Sequence, residues 1–258
     1  MKKILTILGI AAASLAGAQA QVLYTTGNYT QNFNSLPNTG SAAAWTNGST
    51  LAGWSAIAPL LTPTTITPQT GSGTSGLLAS FGADTNSNRS LGWVYANALG
   101  AAGTQASIGF GLTNNNAFTL TEFTLGYLGR QWRTNSTTPG TLTVEYKLGG
   151  SFDNSNTGWT SLSALTFTGP NTTGSTSVDG YLAANTASLS SSVTSLSWAS
   201  GTSLWVRWRD TNDSGTDAQL AIDDVNFAAI PEPSTWALIG LGSAFMMWNL
   251  RRKRRIEG

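Results

Sequence analysis

The sequence predicts an all-β fold, an antiparallel β-sandwich of jelly-roll type, and three observations carry that expectation. Short segments alternate apolar and polar residues with period two. Clusters of Gly, Asn, Ser, Thr and Pro punctuate them. No 3.6-residue pattern of useful length interrupts residues 21 to 230. About ten half-buried strands suit two packed sheets.

The clearest strand is Thr141 to Leu148, where Leu142, Val144, Tyr146 and Leu148 share one face and Thr141, Thr143, Glu145 and Lys147 the other. In Leu204 to Arg209, Leu204, Val206 and Trp208 alternate with Trp205, Arg207 and Arg209. Two segments change phase, which predicts a bulge or burial of both faces. Phe118 and Leu120 give way to Phe123, Leu125 and Tyr127, and Leu220 and Ile222 give way to Val225 and Phe227 across Asp223-Asp224. Weaker strands are expected at Val22 to Phe33, Leu51 to Ala58, Leu77 to Phe81, Leu91 to Tyr95, Ala106 to Leu112, Trp159 to Thr168 and Val193 to Trp198. Thr62 to Gly76 and Gly169 to Gly180 read as loops.

Composition excludes more than it assigns. Charged residues are 10% of the 258, against about 25% in ordinary globular chains. Seven of the thirteen basic residues lie at the two ends, and residues 21 to 230 hold six basic against ten acidic side chains. A basic nucleic-acid footprint is therefore absent. With no Cys there is no disulfide or thiolate site, and with no His there is no imidazole base, no Ser-His-Asp machinery and no zinc site of the usual kind.

The ends differ from the body. Lys2-Lys3, an apolar run from Ile4 to Ala16, and Ala18-Gln19-Ala20 have the basic, hydrophobic and small-residue parts of a secretory signal helix over residues 1–20. This implies export through the secretion translocon and cleavage by signal peptidase after Ala20; the alternative is an N-terminal core helix. The body then occupies residues 21–229 and a terminal segment residues 230–258. In that segment Pro231-Glu232-Pro233 precedes an apolar stretch from Trp236 to Leu250, and Arg251, Arg252, Lys253, Arg254 and Arg255 follow directly. Fifteen helical residues cover about 22 Å, short of a hydrocarbon core of about 30 Å. Snorkelling arginines and Trp236 make up the deficit of one transmembrane helix. The basic cluster favours a cytoplasmic C-terminus and an outward-facing body.

These tail residues resemble the PEP-CTERM sorting signal of Gram-negative bacteria. The resemblance implies an exosortase as partner, a precursor held in the inner membrane, cleavage near Pro231, Glu232 and Pro233, and delivery of the body to the cell envelope, surface or extracellular matrix. The two prolines, which lack amide donors and disfavour helix before them, would keep that stretch extended for a protease. A permanent single-span anchor is the alternative. Asn32 to Pro37, Gly129 to Arg133 and Leu204 to Phe227 further resemble a recurrent jelly-roll-like body of PEP-CTERM and related secreted proteins, whose molecular role is unassigned.

Chemistry in the body centres on acids and tryptophans. Asp210, Asn212, Asp213 and Asp217 surround Gly215, and Asp223 and Asp224 follow. Oxygen ligands of this kind suit calcium, although the spacing matches no EF-hand or dockerin loop; a solvated turn paired to Arg207 and Arg209 is the alternative. Glu122 and Glu145 are the only body glutamates, and a glycosidase pair would need them about 5 to 9.5 Å apart. Trp132 and Trp205 are candidate sugar-stacking residues, against the alternative that the tryptophans fill the core. The expected function is a non-enzymatic envelope or matrix protein associated with exopolysaccharide. A calcium-supported carbohydrate-binding module is the alternative, and a polysaccharide-active enzyme a third reading.

Overall fold

A computed structural model of the chain describes residues 21–135, 138–213, 215–231, 240–243 and 245–246. The expected signal helix, Glu232, Pro233 and the basic cluster Arg251 to Arg255 lie outside the described residues, and of the expected transmembrane segment only Gly240 to Ser243 and Phe245 to Met246 are described, as helix. Among the described residues no helix is long and apolar enough to cross a membrane.

Strands dominate. In chain order they are β1 (Val22–Tyr24), β2 (Gly27–Gln31), β3 (Ala43–Ala44), β4 (Trp54–Ile57) and β5 (Thr65–Gln69). Then come β6 (Leu77–Phe81), β7 (Ser90–Val94), β8 (Gln105–Asn114), β9 (Glu122–Arg133) and β10 (Thr141–Leu148). The last five are β11 (Thr160–Ser161), β12 (Phe167–Thr168), β13 (Thr186–Val193), β14 (Ser203–Thr211) and β15 (Gln219–Ile230). Short 3-10 turns at Ser163–Leu165 and Ala183–Asn185 complete the list.

They form two sheets. One runs β1-β8-β14-β10-β11, with β4 also on β8 and β12 also on β10; the other runs β13-β9-β15-β7-β6-β5-β3, with β2 also on β15. Successive long strands alternate between them: β8, β10 and β14 belong to the first, β9, β13 and β15 to the second. That alternation is the jelly-roll connection, and it places both inner faces around one core. Most pairs are antiparallel as expected, but β1 with β8 and β5 with β6 are parallel. Neither pair is a hairpin: three-residue β1 meets β8 across the six intervening strands, and residues 70–76 carry the chain from β5 to β6.

The core follows from the alternation. Phe110 from β8 meets Phe227 from β15 edge-on at 5.9 Å, and Tyr127 from β9 meets Trp208 from β14 at 5.3 Å. Trp54 from β4 stacks on Trp208 at 5.9 Å. Each such pair adds about 0.5 to 1.5 kcal/mol beyond the burial itself, which is how a chain without disulfides closes its sandwich.

Tertiary context corrects two expectations and adds one strand that none of them covered. Thr62 to Gly76 contains β5, where buried Ile66 is the inward anchor. Thr186 to Val193, assigned to no strand from the sequence, pairs along β9 as an edge. Val193 to Trp198 adds only a bridge from Trp198 to Leu120 beyond the end of β13. The bulge expected at Asp223-Asp224 is present: the β15–β9 register shifts between Asp223 and Asn226, and Asp224 is left-handed with φ 46°.

Candidate functional site

The six oxygen-bearing residues grouped by sequence separate into two places. Asp210 is the last inward position of β14 after Leu204, Val206 and Trp208, so its carboxylate enters the end of the core and is 3% exposed. Asn212, Asp213 and Asp217 follow in the β14–β15 loop. The loop after β7 is tied to them: Asn212 Nδ2 donates to Asn97 Oδ1 (2.9 Å) and Gly100 O (2.7 Å), and the Asn212 amide donates to Thr104 O (2.9 Å). Asp217 and Gln219 line a cavity of about 470 Å³ with Asn212, Tyr95, Asn97 and Gly76.

The electrostatics there are unfavourable as they stand. Burial, then the charges of Asp217 and Asp213, push Asp210 well above the carboxylate range. Burial and the Asp213 charge push Asp217 up to about 7; the Asp213 backbone amide opposes this without a hydrogen bond of normal geometry. Among the described residues no three carboxylates converge as a metal centre.

Asp223 and Asp224 sit elsewhere, at the bulge. Asp223 turns to the outer face of its sheet and pairs with Arg130, whose Nη2 lies 2.9 Å and Nε 3.0 Å from Oδ2. Burial still raises its pKa to about 6, against the pull of Arg130. Asp224 is exposed and lines a recess of about 400 Å³ with Thr30, Gln31, Asn32, Val225 and Asn226. The recess exists because β15 is shared: β7 pairs with Ala221 and Ile222, β2 with Val225 to Ala229, and the bulge lies between them. Phe33, beside the recess, is also left-handed (φ 55°), held there by its fully buried ring against Trp54 at 4.8 Å. A bulky side chain in that region is strained.

The two candidate sugar platforms are not accessible. Trp205 does point away from the core, as its alternation requires, but the segment after β10 folds over it, with Phe152 at 5.9 Å and Gly150 O accepting its Nε1–H at 3.2 Å. It is 1% exposed, and Trp132 is 2% exposed. Trp132 lies between Phe81 (6.0 Å) and Tyr181 (5.0 Å), its Nε1 donating to Ser90 Oγ at 3.0 Å. Each ring rests on a glycine, Gly111 or Gly180, where a Cβ would collide with it. Both belong to second apolar layers outside the sheets.

The glutamates are separated as well. Glu122 opens β9 in one sheet and Glu145 belongs to β10 in the other. Glu145 Oε2 accepts from Arg207 Nε at 2.7 Å, with Arg209 Nη1 at 3.9 Å. Arg207 and Arg209 are therefore engaged on the outer face of their sheet, not with the acids of the loop.

Residues absent from the sequence-level candidates complete these places: Gln219, Tyr95 and Asn97 at the core end, and Thr30, Gln31, Asn32 and Asn226 at the recess. Their residue types carry no signal in this Asn- and Thr-rich chain; only the strand order brings them together.

No curated protein matches the chain. Among solved structures it is similar to the C-terminal family 22 carbohydrate binding module of Clostridium thermocellum Xyn10B, at 11% identity over 69% of this chain and 85% of that one, TM-score 0.37. It is similar to the CBM22-1 xylan-binding domain of Paenibacillus barcinonensis Xyn10C, at 10% identity, 83% and 99% coverage and TM-score 0.35. A third is the K3 cleaved adhesin domain of Lys-gingipain from Porphyromonas gingivalis, at 14% identity, 69% and 92% coverage and TM-score 0.40. None is close enough to transfer a ligand. The tail is more specific: residues 229–254 match the family described as the PEP-CTERM protein-sorting motif, so this chain carries the signal of an exported, envelope-sorted protein whose processing partner is an exosortase.

Proposed function

We propose that the body is a non-enzymatic component of the cell surface or extracellular matrix, associated with exopolysaccharide after an exosortase has processed the tail. Continuity carries this reading. The motif begins at residue 229, inside β15, where Ala229 and Ile230 are still paired to Phe123 and Glu122. Pro231 follows at once, so the sandwich has no spacer and its last strand is itself the tether of the inner-membrane precursor. Separation of Glu122 from Glu145 and the engagement of Glu145 by Arg207 weigh against a glycosidase pair. Intact mass of the body from cells with and without the exosortase tests it, alongside fractionation. Loss of the tail only when the exosortase is present, with the body in the envelope or medium, is expected; a cytoplasmic, unprocessed chain would overturn it.

A second reading, a carbohydrate-binding module, is favoured by the recess at the β15 bulge. Asp224, Asn226 and Thr30 offer a carboxylate, an amide and a hydroxyl whose side chains make no hydrogen bond among the described residues. Such groups match sugar hydroxyls. Glycan-array binding that disappears in the Asp224→Ala, Asn226→Ala double variant supports this site. A folded body that binds no glycan, or a variant that binds as before, removes it.

A further inference from the structure

The buried end of the sandwich presents an imbalance of one kind. Four side-chain oxygens there have neither solvent nor a hydrogen-bond donor: Asp210 Oδ2, Asp217 Oδ1, Asp217 Oδ2 and Gln219 Oε1. All four are acceptors. Gln219 is 1% exposed and is oriented by its own amide group, whose Nε2 donates to Gly73 O. Its carbonyl oxygen therefore stays behind as an acceptor beside Asp217, in the same cavity.

An unpaired buried acceptor costs about 1 to 3 kcal/mol, and more when charged. Waters alone answer such a set poorly, because two carboxylates in mutual repulsion remain uncompensated. A protonated acid would supply one donor for four acceptors. A cation answers all of them at once.

We infer that Asp210, Asp217 and Gln219 form a site for a hard divalent cation, of which calcium is the chemical match. Every available ligand is oxygen, and the chain contains no His or Cys to recruit a softer metal. An irregular set of carboxylate, amide and water oxygens suits the variable coordination of calcium better than the strict octahedron of magnesium. The cavity leaves room for the waters that would complete the sphere. Asp223 and Asp224 take no part, since Arg130 neutralises the first and the second opens on the β15 recess. The bound ion closes the β14–β15 loop between its two strands, beside the loop between β7 and β8 to which Asn212 already ties it.

The test is a calcium titration of the full-length chain in detergent, followed by thermal unfolding and by terbium luminescence with calcium competition. A saturable rise in Tm of about 5 to 10 °C at a hundredfold excess over Kd is expected. In Asp217→Asn, which keeps the shape and removes the charge, the rise and the competed terbium signal are lost, while Asp224→Asn retains both. Gln219→Met serves as a second variant, with calcium affinity expected to fall about tenfold or more. A wild-type chain whose Tm ignores calcium at 10 mM overturns the site. So does an unchanged calcium response in both Asp217→Asn and Gln219→Met.

Discussion

Arg207 lays its guanidinium over the ring of Trp159, Cζ 3.9 Å from the centroid, while its Nε holds Glu145 at 2.7 Å. Its two terminal nitrogens donate to the carbonyls of Asp153 and Ser155, each at 2.8 Å. A fully buried cation on the outer face of a sheet is thus enclosed by a loop, and that loop is what hides Trp205. Lys147 Nζ reaches the same ring at 4.5 Å.

Trp159→Ala should loosen this cover. Loss of two cation–π contacts, one desolvated, corresponds to about 1 to 3 kcal/mol. Denaturant unfolding should give a lower midpoint, and limited proteolysis should cut first within residues 149–159. An unchanged cleavage pattern would mean that the loop is held by Arg207 alone.

Glu145→Gln should lower stability by about 2 kcal/mol, because it takes from buried Arg207 the nearer of its two carboxylates and leaves only Asp153 Oδ1, at 3.8 Å. Glu122→Gln, at the start of β9, should change it by less than about 0.5 kcal/mol. Equilibrium unfolding of both variants separates a structural glutamate from an exchangeable one. If the double variant keeps undiminished any polysaccharide-cleaving turnover of the wild type, neither residue is catalytic.

Asp153 sets an acid limit. Partial burial alone would raise its pKa, but hydrogen bonds from Lys147, Trp159 and Ser155 hold it well below the usual 3.8. A carboxyl depressed on folding contributes stability at pH values above its unfolded pKa and loses it as pH falls below that value toward the folded one. Unfolding midpoints measured from pH 6 to pH 2 should therefore drop below about pH 4. In Asp153→Asn the neutral-pH midpoint should be lower and the acid drop shallower.

Trp205→Ala should cost about 3 to 5 kcal/mol, as for a buried aromatic, and so should reduce glycan binding only by unfolding the body. Circular dichroism beside the binding assay distinguishes this from loss of a contact. A folded Trp205→Ala chain with selectively abolished binding would return Trp205 to the sugar site.

Much of the architecture was legible because a strand writes its two faces into alternate residues. The period-two runs at Thr141 to Leu148 and Leu204 to Arg209 are β10 and most of β14, and the parity break at Asp223-Asp224 is a real bulge. What alternation cannot specify is the cover on an outward face. Trp205 and Trp132 have the parity of exposed residues and are buried by loops, Gly149 to Trp159 over one and the Gly180-Tyr181 turn over the other. The edge strand β13 was hard to read for the opposite reason: Ser188, Ser190 and Ser192 face water, and the inward row of Ala187, Leu189, Ser191 and Val193 is only weakly apolar.

By itself the sequence determined destination and class. Sorting is written in local residue order, in the motif at residues 229–254, which needs no folded body to be read, and the β class is written in side-chain period. Tertiary structure alone decided the chemistry. It divided one acidic run into a buried end at Asp210 and Asp217 and an ion pair at Asp223, because an inward position on β14 and an outward position across a bulge on β15 meet different dielectric surroundings, however near they lie along the chain.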